Sequence, residues 1–244
     1  MFERTYTVER FQCDRNDTLS VPTLFLCLND IMERNAESYG MGADFHIKQH
    51  LAWVLVEYQV HIHAWPKSDE DFVVGTLPYS FKRMYGYRIY SGRYKSGKRL
   101  MEGKGKFALI DIHSKQFVRP TQEMLDKFTD AYKEPKALKF DKWGSETGTL
   151  LSRMNRSVFQ DGIDVNGHLN NAYFPMYAYQ ALSKTLADSL AIEFINVKYR
   201  KEVFEGETLT FNVLDVKRGI RVDMYKDQGV LAAQVLFTSQ NKND

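Results

Sequence analysis

Asp164, Asn166 and His168 place a carboxylate, a carboxamide and an imidazole at positions i, i+2 and i+4, and Asn170 and Asn171 follow at once. In an extended or turn-like segment alternate side chains point to one side, so the three polar groups can converge. Asn170 or Asn171 is placed to cap a helix from Ala172 to about Leu182. The start of that helix presents backbone N–H groups to an incoming carbonyl oxygen, a setting that suits an oxyanion. A lone Asn or His here reads as a capped polar loop. The whole string, followed by Tyr173, Phe174 and Tyr177, points to chemistry.

The elements that must hold these groups are legible in outline. Phe2 to Phe11 alternates loosely and reads as a strand. Ser20 is a candidate N-cap, Pro22 sits in the first turn, and Leu24, Phe25, Leu28, Ile31 and Met32 recur at helical spacing up to Tyr39 and Gly40. Trp53 to Trp65 alternates as a half-buried strand, with Val54, Val56, Tyr58, Val60 and Ile62 opposite Glu57, Gln59, His61 and His63. Strands follow at Asp71–Leu77, Phe81–Tyr94 and Leu100–Ile112. The polar stretch from Gln122 to about Lys142 reads as a short helix and a linker. The second half then repeats the order: a strand at Arg153–Phe159, the polar motif and its helix, and strands at Glu193–Tyr199, Thr208–Val216, Arg218–Tyr225 and Val230–Ser239. Pro175 strains the second helix as drawn, which implies a later start or a bend. The expected architecture is α+β, with two antiparallel sheets each wrapped around a central helix: 1–130, a linker at 131–148, and 149–244.

Lys plus Arg total 33 against 31 for Asp plus Glu, so the net charge of +2 gives no field suited to nucleic acid. Two cysteines, Cys13 and Cys27, make neither a disulfide framework nor a metal knuckle. His61 with His63, and His46 with His50, are pairs lacking a third ligand in the sequence pattern, so no metal is expected, and no cofactor. The start of the chain has no apolar signal-like region and no run of about 18 apolar residues occurs, so a cytoplasmic protein without membrane insertion is expected.

With the motif at Asp164–Tyr173 and the segment Tyr199, Arg200, Lys201, Glu202 in hand, the chain resembles the acyl-ACP thioesterases, the plant chain-terminating enzymes and their bacterial relatives. The resemblance spans both halves and implies a tandem (double) hotdog, with the acyl chain in the first half and the catalytic residues in the second. It places the family's Asp, Asn and His on Asp164, Asn166 and His168, and the Glu of its Tyr-Arg-Arg-Glu-Cys segment on Glu202. The family's following Cys is Val203 here, which removes any thioester-forming nucleophile at that position.

The reaction so implied is hydrolysis of fatty acyl-ACP to free fatty acid and holo-ACP, ending fatty-acid synthesis. Glu202 would be the general base or anchor the attacking water. His168 would orient that water or the thioester, and Asn166 would hold water or carbonyl. Asp164 would either orient the others or attack directly, and both roles predict a large loss in Asp164→Asn. Phe25, Met32 and Trp53 are candidates to line the acyl tunnel. Lys198, Arg200, Lys201 and the group Lys95, Lys98, Arg99, Lys104 and Lys106 could meet an acidic carrier protein. An acyl-CoA thioesterase of the hotdog type, a hotdog dehydratase and a non-catalytic acyl-binding module are the competing readings. A fused pair already satisfies the usual hotdog pairing, so monomer and homodimer both stay open.

Overall fold

A computed structural model describes residues 1–129, 131 and 136–239. It divides into two compact units. The first holds Met1–Tyr58 and His63–Phe140, and the second holds Gln59–Ile62 and Asp141–Asp244.

In the first unit, β1 (Phe2–Thr7), β2 (Leu51–Ile62, as far as Tyr58), β3 (Asp71–Lys82), β4 (Tyr85–Tyr94) and β5 (Arg99–Asp111) form a sheet in the order β1-β3-β4-β5-β2. Its long helix, α1 (Val21–Ser38), lies against β1 and β3. The apolar stripe Leu24, Phe25, Leu28 and Ile31 faces inward, as the spacing requires. Pro22 costs no helical hydrogen bond so near the start, and Gly40 (φ +67°) ends the helix in the left-handed region. Ser20 does not cap through its side chain; its hydroxyl meets that of Thr23 at 2.9 Å.

Phe25 is fully buried, its ring edge-on to Tyr58 at 5.8 Å. Phe25→Ala should therefore cost about 3–5 kcal/mol of stability, measured as a lower denaturant midpoint with an unchanged slope. Close by, Arg88 of β4 is buried and donates to Asn35 Oδ1 of α1 (2.6 Å) and Thr76 Oγ1 of β3 (3.2 Å), tying helix to sheet. A separate cluster gathers Met41, Leu109, Met124 and Phe128 with Trp53 and Phe81.

In the second unit, β6 (Thr149–Ser157), β7 (Phe194–Tyr199), β8 (Thr208–Val216), β9 (Gly219–Lys226) and β10 (Val230–Thr238) run in the order β7-β10-β9-β8-β6. A short helix, α4 (Tyr173–Gln180), lies against β7 and β10. Pro175 is the third residue of α4, where its missing N–H has no helical partner to lose, and the helix begins at Tyr173, one residue after the expected start.

Several expectations change. β1 stops at Thr7, and Arg10–Gln12 form a 3-10 turn that leaves Phe11 85% exposed. The segment Phe81–Tyr94 is broken by a turn at Arg83 (φ +58°), which makes β3 and β4 a hairpin. β2 is not half-buried: Glu57 and Gln59 are only 8% and 6% exposed. The Gln59 carboxamide is covered by the chain at Asp141, donating to its carbonyl (3.0 Å) and accepting from its N–H (3.1 Å). Three short helices, α2 (Ala43–Gln49), α3 (Gln122–Lys127) and α5 (Lys184–Ser189), complete the fold. The bounds of the two units meet at Phe140 and Asp141, inside the expected linker 131–148, of which residues 132–135 lie outside the described residues.

Candidate active site

Asp164 to His168 form a tight turn, not an extended segment. The Asp164 carbonyl accepts from Gly167 N–H (2.9 Å), and Asp164 N–H donates to the His168 carbonyl (2.8 Å). Gly167 takes φ +79°, which glycine adopts without steric cost. Oδ1 of Asp164 accepts from the N–H groups of Asn166 (2.8 Å) and His168 (3.4 Å), so the carboxylate braces the turn from within. Val165 and Asn166 stand at its exposed tip. Among the described residues the Asn166 carboxamide makes no hydrogen bond to His168 or Glu202.

One backbone contact brings the distant segments together: Leu169 N–H donates to the Val203 carbonyl at 2.8 Å. The residues just before each, His168 and Glu202, therefore sit side by side, with His168 Nε2 3.7 Å from Glu202 Oε2. That is ion-pair range, slightly too long for a hydrogen bond. Phe204 presents an edge contact to the imidazole at 5.0 Å between ring centres. The side chains are 26% and 41% exposed, so water reaches the pair directly. Tyr199 donates from its hydroxyl to the Asn171 carbonyl (3.1 Å), which fixes the entry to α4 against β7.

The expected oxyanion donors are partly spoken for. Asn170 accepts from Ala172 N–H through Oδ1 (3.0 Å) and from Tyr173 N–H through its carbonyl (2.9 Å). Asn170 thus holds the turn that leads into α4 and occupies these two amides, while the N-cap position itself is Ala172, without a side-chain cap.

Residues 1–128 match the acyl-ACP thioesterase N-terminal domain and residues 152–237 match the acyl-ACP thioesterase C-terminal domain. This chain belongs to the acyl-ACP thioesterase family. Among curated relatives, the chloroplastic oleoyl-acyl carrier protein thioesterase of Coriandrum sativum is 18% identical over 217 residues, covering 82% of this chain and 59% of the relative. Oleoyl-acyl carrier protein thioesterase 1 of Arabidopsis thaliana is 18% identical over 224 residues, covering 85% of this chain and 62% of the relative. The chain thus spans about three-fifths of the length of the curated relatives it matches. An acyl-ACP thioesterase from Bacteroides thetaiotaomicron superposes with a TM-score of 0.84 at 18% identity, covering 97% of this chain and 96% of the other. A 12:0-ACP thioesterase from Umbellularia californica gives 0.83 at 15%, with the same coverages. At these identities the likeness shows the fold, which is the tandem hotdog.

In this member of the family the turn occurs twice. In the first unit Asp14 Oδ1 accepts from the N–H groups of Asn16 (2.8 Å) and Thr18 (3.4 Å), and Asp14 N–H donates to the Thr18 carbonyl (2.8 Å). Asp17 (φ +56°) stands where Gly167 does, and Leu19 N–H donates to the Pro66 carbonyl (2.8 Å) as Leu169 does to Val203. A 3-10 turn precedes each copy, at Arg10–Gln12 and at Gln160–Gly162. The first copy carries Thr18 in place of His168 and Trp65 in place of Glu202. The signal was in the sequence: Asp, Asn and Leu recur at the same spacing at 14, 16 and 19 and at 164, 166 and 169. Topology alone, the level at which the repeat was first legible, hides it.

The remaining candidates fall in varied places. Val203, at the family's cysteine position, is fully buried and its carbonyl is committed to Leu169. Burial pushes the Cys27 thiol up to about 12 and also raises that of Cys13, which leaves neither as a ready thiolate. Phe25 packs on Tyr58, Met32 is half-buried on α1, and Trp53 belongs to the separate cluster with Phe81 and Phe128. Glu102, which sequence spacing did not flag, lies 3.8 Å from His63. His61 stacks on Phe194 at 4.0 Å.

Much of the basic surface is engaged. Lys95 pairs with Asp71, and Arg99 lies 3.6 Å from Glu102. Lys104 donates to the Lys139 carbonyl, and Lys106 sits over Tyr85 at 4.0 Å. Lys198 donates to the Trp143 carbonyl, and Arg200 to Gln234 (3.0 Å). Lys98 and Lys201 are exposed.

Proposed function

We propose that this chain hydrolyses fatty acyl-ACP to free fatty acid and holo-ACP, and so ends fatty-acid synthesis. The observation that carries the reading is the pairing of His168 with Glu202 beside an open approach for water, in a chain of this family. Glu202 is the group with the right chemistry to take a proton from water as that water attacks the thioester carbonyl carbon. The tetrahedral intermediate then collapses, the C–S bond breaks, and the proton passes from Glu202 toward the departing thiolate. A thiol leaves with a pKa of about 8.5, so acid assistance is a small demand. His168, held against Glu202 and Phe204, donates from its ring to the attacking water or the carbonyl oxygen. Asp164 orients His168 through the backbone of the turn. Its Oδ1 is already committed to two amides, which disfavours direct attack.

Turnover of acyl-ACP and acyl-CoA measured side by side tests the substrate. The proposal expects a clear preference for the carrier protein, whereas equal or better rates on acyl-CoA would overturn it. Lys201, exposed directly before Glu202, suits an acidic carrier. Lys201→Glu should lower kcat/KM about 3- to 10-fold on acyl-ACP at low salt and leave acyl-CoA turnover unchanged. Free-fatty-acid profiling after expression in a bacterial host, against a Glu202→Ala control, checks release of the acid in cells.

A further inference from the structure

The loop from Glu202 to Glu207 carries both the base and the ring that backs His168, and one cation ties it. Nζ of Lys226, the last residue of β9, donates to the Glu202 carbonyl (2.9 Å) and to Glu207 Oε1 (2.7 Å). It also lies 5.3 Å from the centre of the Phe204 ring. The other Glu207 oxygen accepts from Phe204 N–H at 2.8 Å. The Lys226 and Glu207 side chains are only 17% and 19% exposed, so this ion pair is shielded in a way that surface pairs are not. We propose that Lys226 is a positioning residue of the site: it fixes the backbone of Glu202 and, through Phe204, the seat of the His168 ring. The inference rests on the hydrolytic reading above.

The duplicated half of the molecule separates what the fold needs from what the site needs. In the first unit Glu70 repeats Glu207, accepting from Lys67 N–H at 2.8 Å, and Asp69 (φ +65°) repeats the left-handed Gly206 (φ +80°). The loop therefore closes in the same way there without a lysine. The β4 residue that corresponds to Lys226 is Tyr94. Among the positions that differ between the copies are Thr18 for His168, Trp65 for Glu202, Lys67 for Phe204 and Tyr94 for Lys226, alongside Arg15 for Val165, Asp17 for Gly167, Pro66 for Val203, Ser68 for Glu205 and Asp69 for Gly206. Asp14, Asn16, Leu19 and Glu70 have identical counterparts in Asp164, Asn166, Leu169 and Glu207. Lys226 and Phe204 thus occur with the reacting pair, and the shared residues occur with the fold.

The test is kcat and KM for acyl-ACP hydrolysis, per folded molecule, in Lys226→Met, Lys226→Arg and Glu202→Gln. Lys226→Met, which keeps the stem and removes the charge, should lower kcat about 10- to 30-fold with KM within about twofold. Lys226→Arg should recover most of the loss, because a guanidinium can still reach both acceptors. Wild-type kcat per folded molecule in Lys226→Met would overturn the proposal whatever its melting temperature. Should that variant not fold, Glu207→Gln loosens the same tie and should lower kcat about 3- to 10-fold; an unchanged kcat there is equally decisive against it. A Glu202→Gln enzyme at wild-type rate would instead remove the hydrolytic reading itself. A slow Glu202→Gln with a normal Lys226→Met removes only the positioning role.

Discussion

Glu202→Gln should lower kcat on acyl-ACP by about 10³-fold, within the 10²–10⁴ range ascribed to a positioned general base, while KM and melting temperature stay near those of the parent. The substitution keeps size and one acceptor oxygen, and removes the negative charge and with it the capacity to take a proton. The side chain is 41% exposed and its contact with His168 is 3.7 Å, so its contribution to stability is small. The Lys226 tie is made to the Glu202 backbone carbonyl, which the substitution leaves untouched. A kcat within a few-fold of the parent would mean that water is activated elsewhere, and the proposed mechanism would fall with it.

The second large effect is a split between two substitutions at Asp164. Asp164→Ala should lower kcat about 10²-fold, because the turn loses both side-chain hydrogen bonds and a displacement of about 1 Å at His168 is enough for a loss of that size. Asp164→Asn retains an Oδ1 acceptor for the same amides and should stay within about tenfold of the parent. The sequence alone predicts a large loss in Asp164→Asn. The hydrogen bonds change that expectation, since Asp14 makes the same ones in a copy without the histidine or the glutamate. Were Asp164 the nucleophile, the Asn variant would be as inactive as the Ala variant. Steady-state rates of the two, side by side, decide the matter.

How much of this could be read from the residues alone varies with the range of the interaction. The helix from Val21 to Ser38 was legible because its apolar spacing, its early proline and its terminal glycine are local signals that agree. β8 was legible from another local signal, the alternation over residues 208–213. β2 was misjudged because the alternation of Val and Ile with Glu57 and Gln59 cannot show that Asp141 closes over the polar side. The turn at Arg83 was missed because no glycine or asparagine marks it, although its φ of +58° is the kind they usually supply.

The sequence by itself determined the family and the tandem order of elements, and it singled out Asp164, Asn166, His168 and Glu202 as candidates. These are matters of residue type and spacing along one chain. The tertiary structure decided which of the four meet. His168 and Glu202 lie side by side because Leu169 is hydrogen-bonded to Val203, while Asp164 turns inward to hold backbone amides and Asn166 stays at the exposed tip. It also brought in Lys226 and Phe204, which no spacing singles out. Contacts between segments far apart in the chain depend on strand register and on where a loop closes, and those follow from the packing of the whole unit, where no local pattern records them.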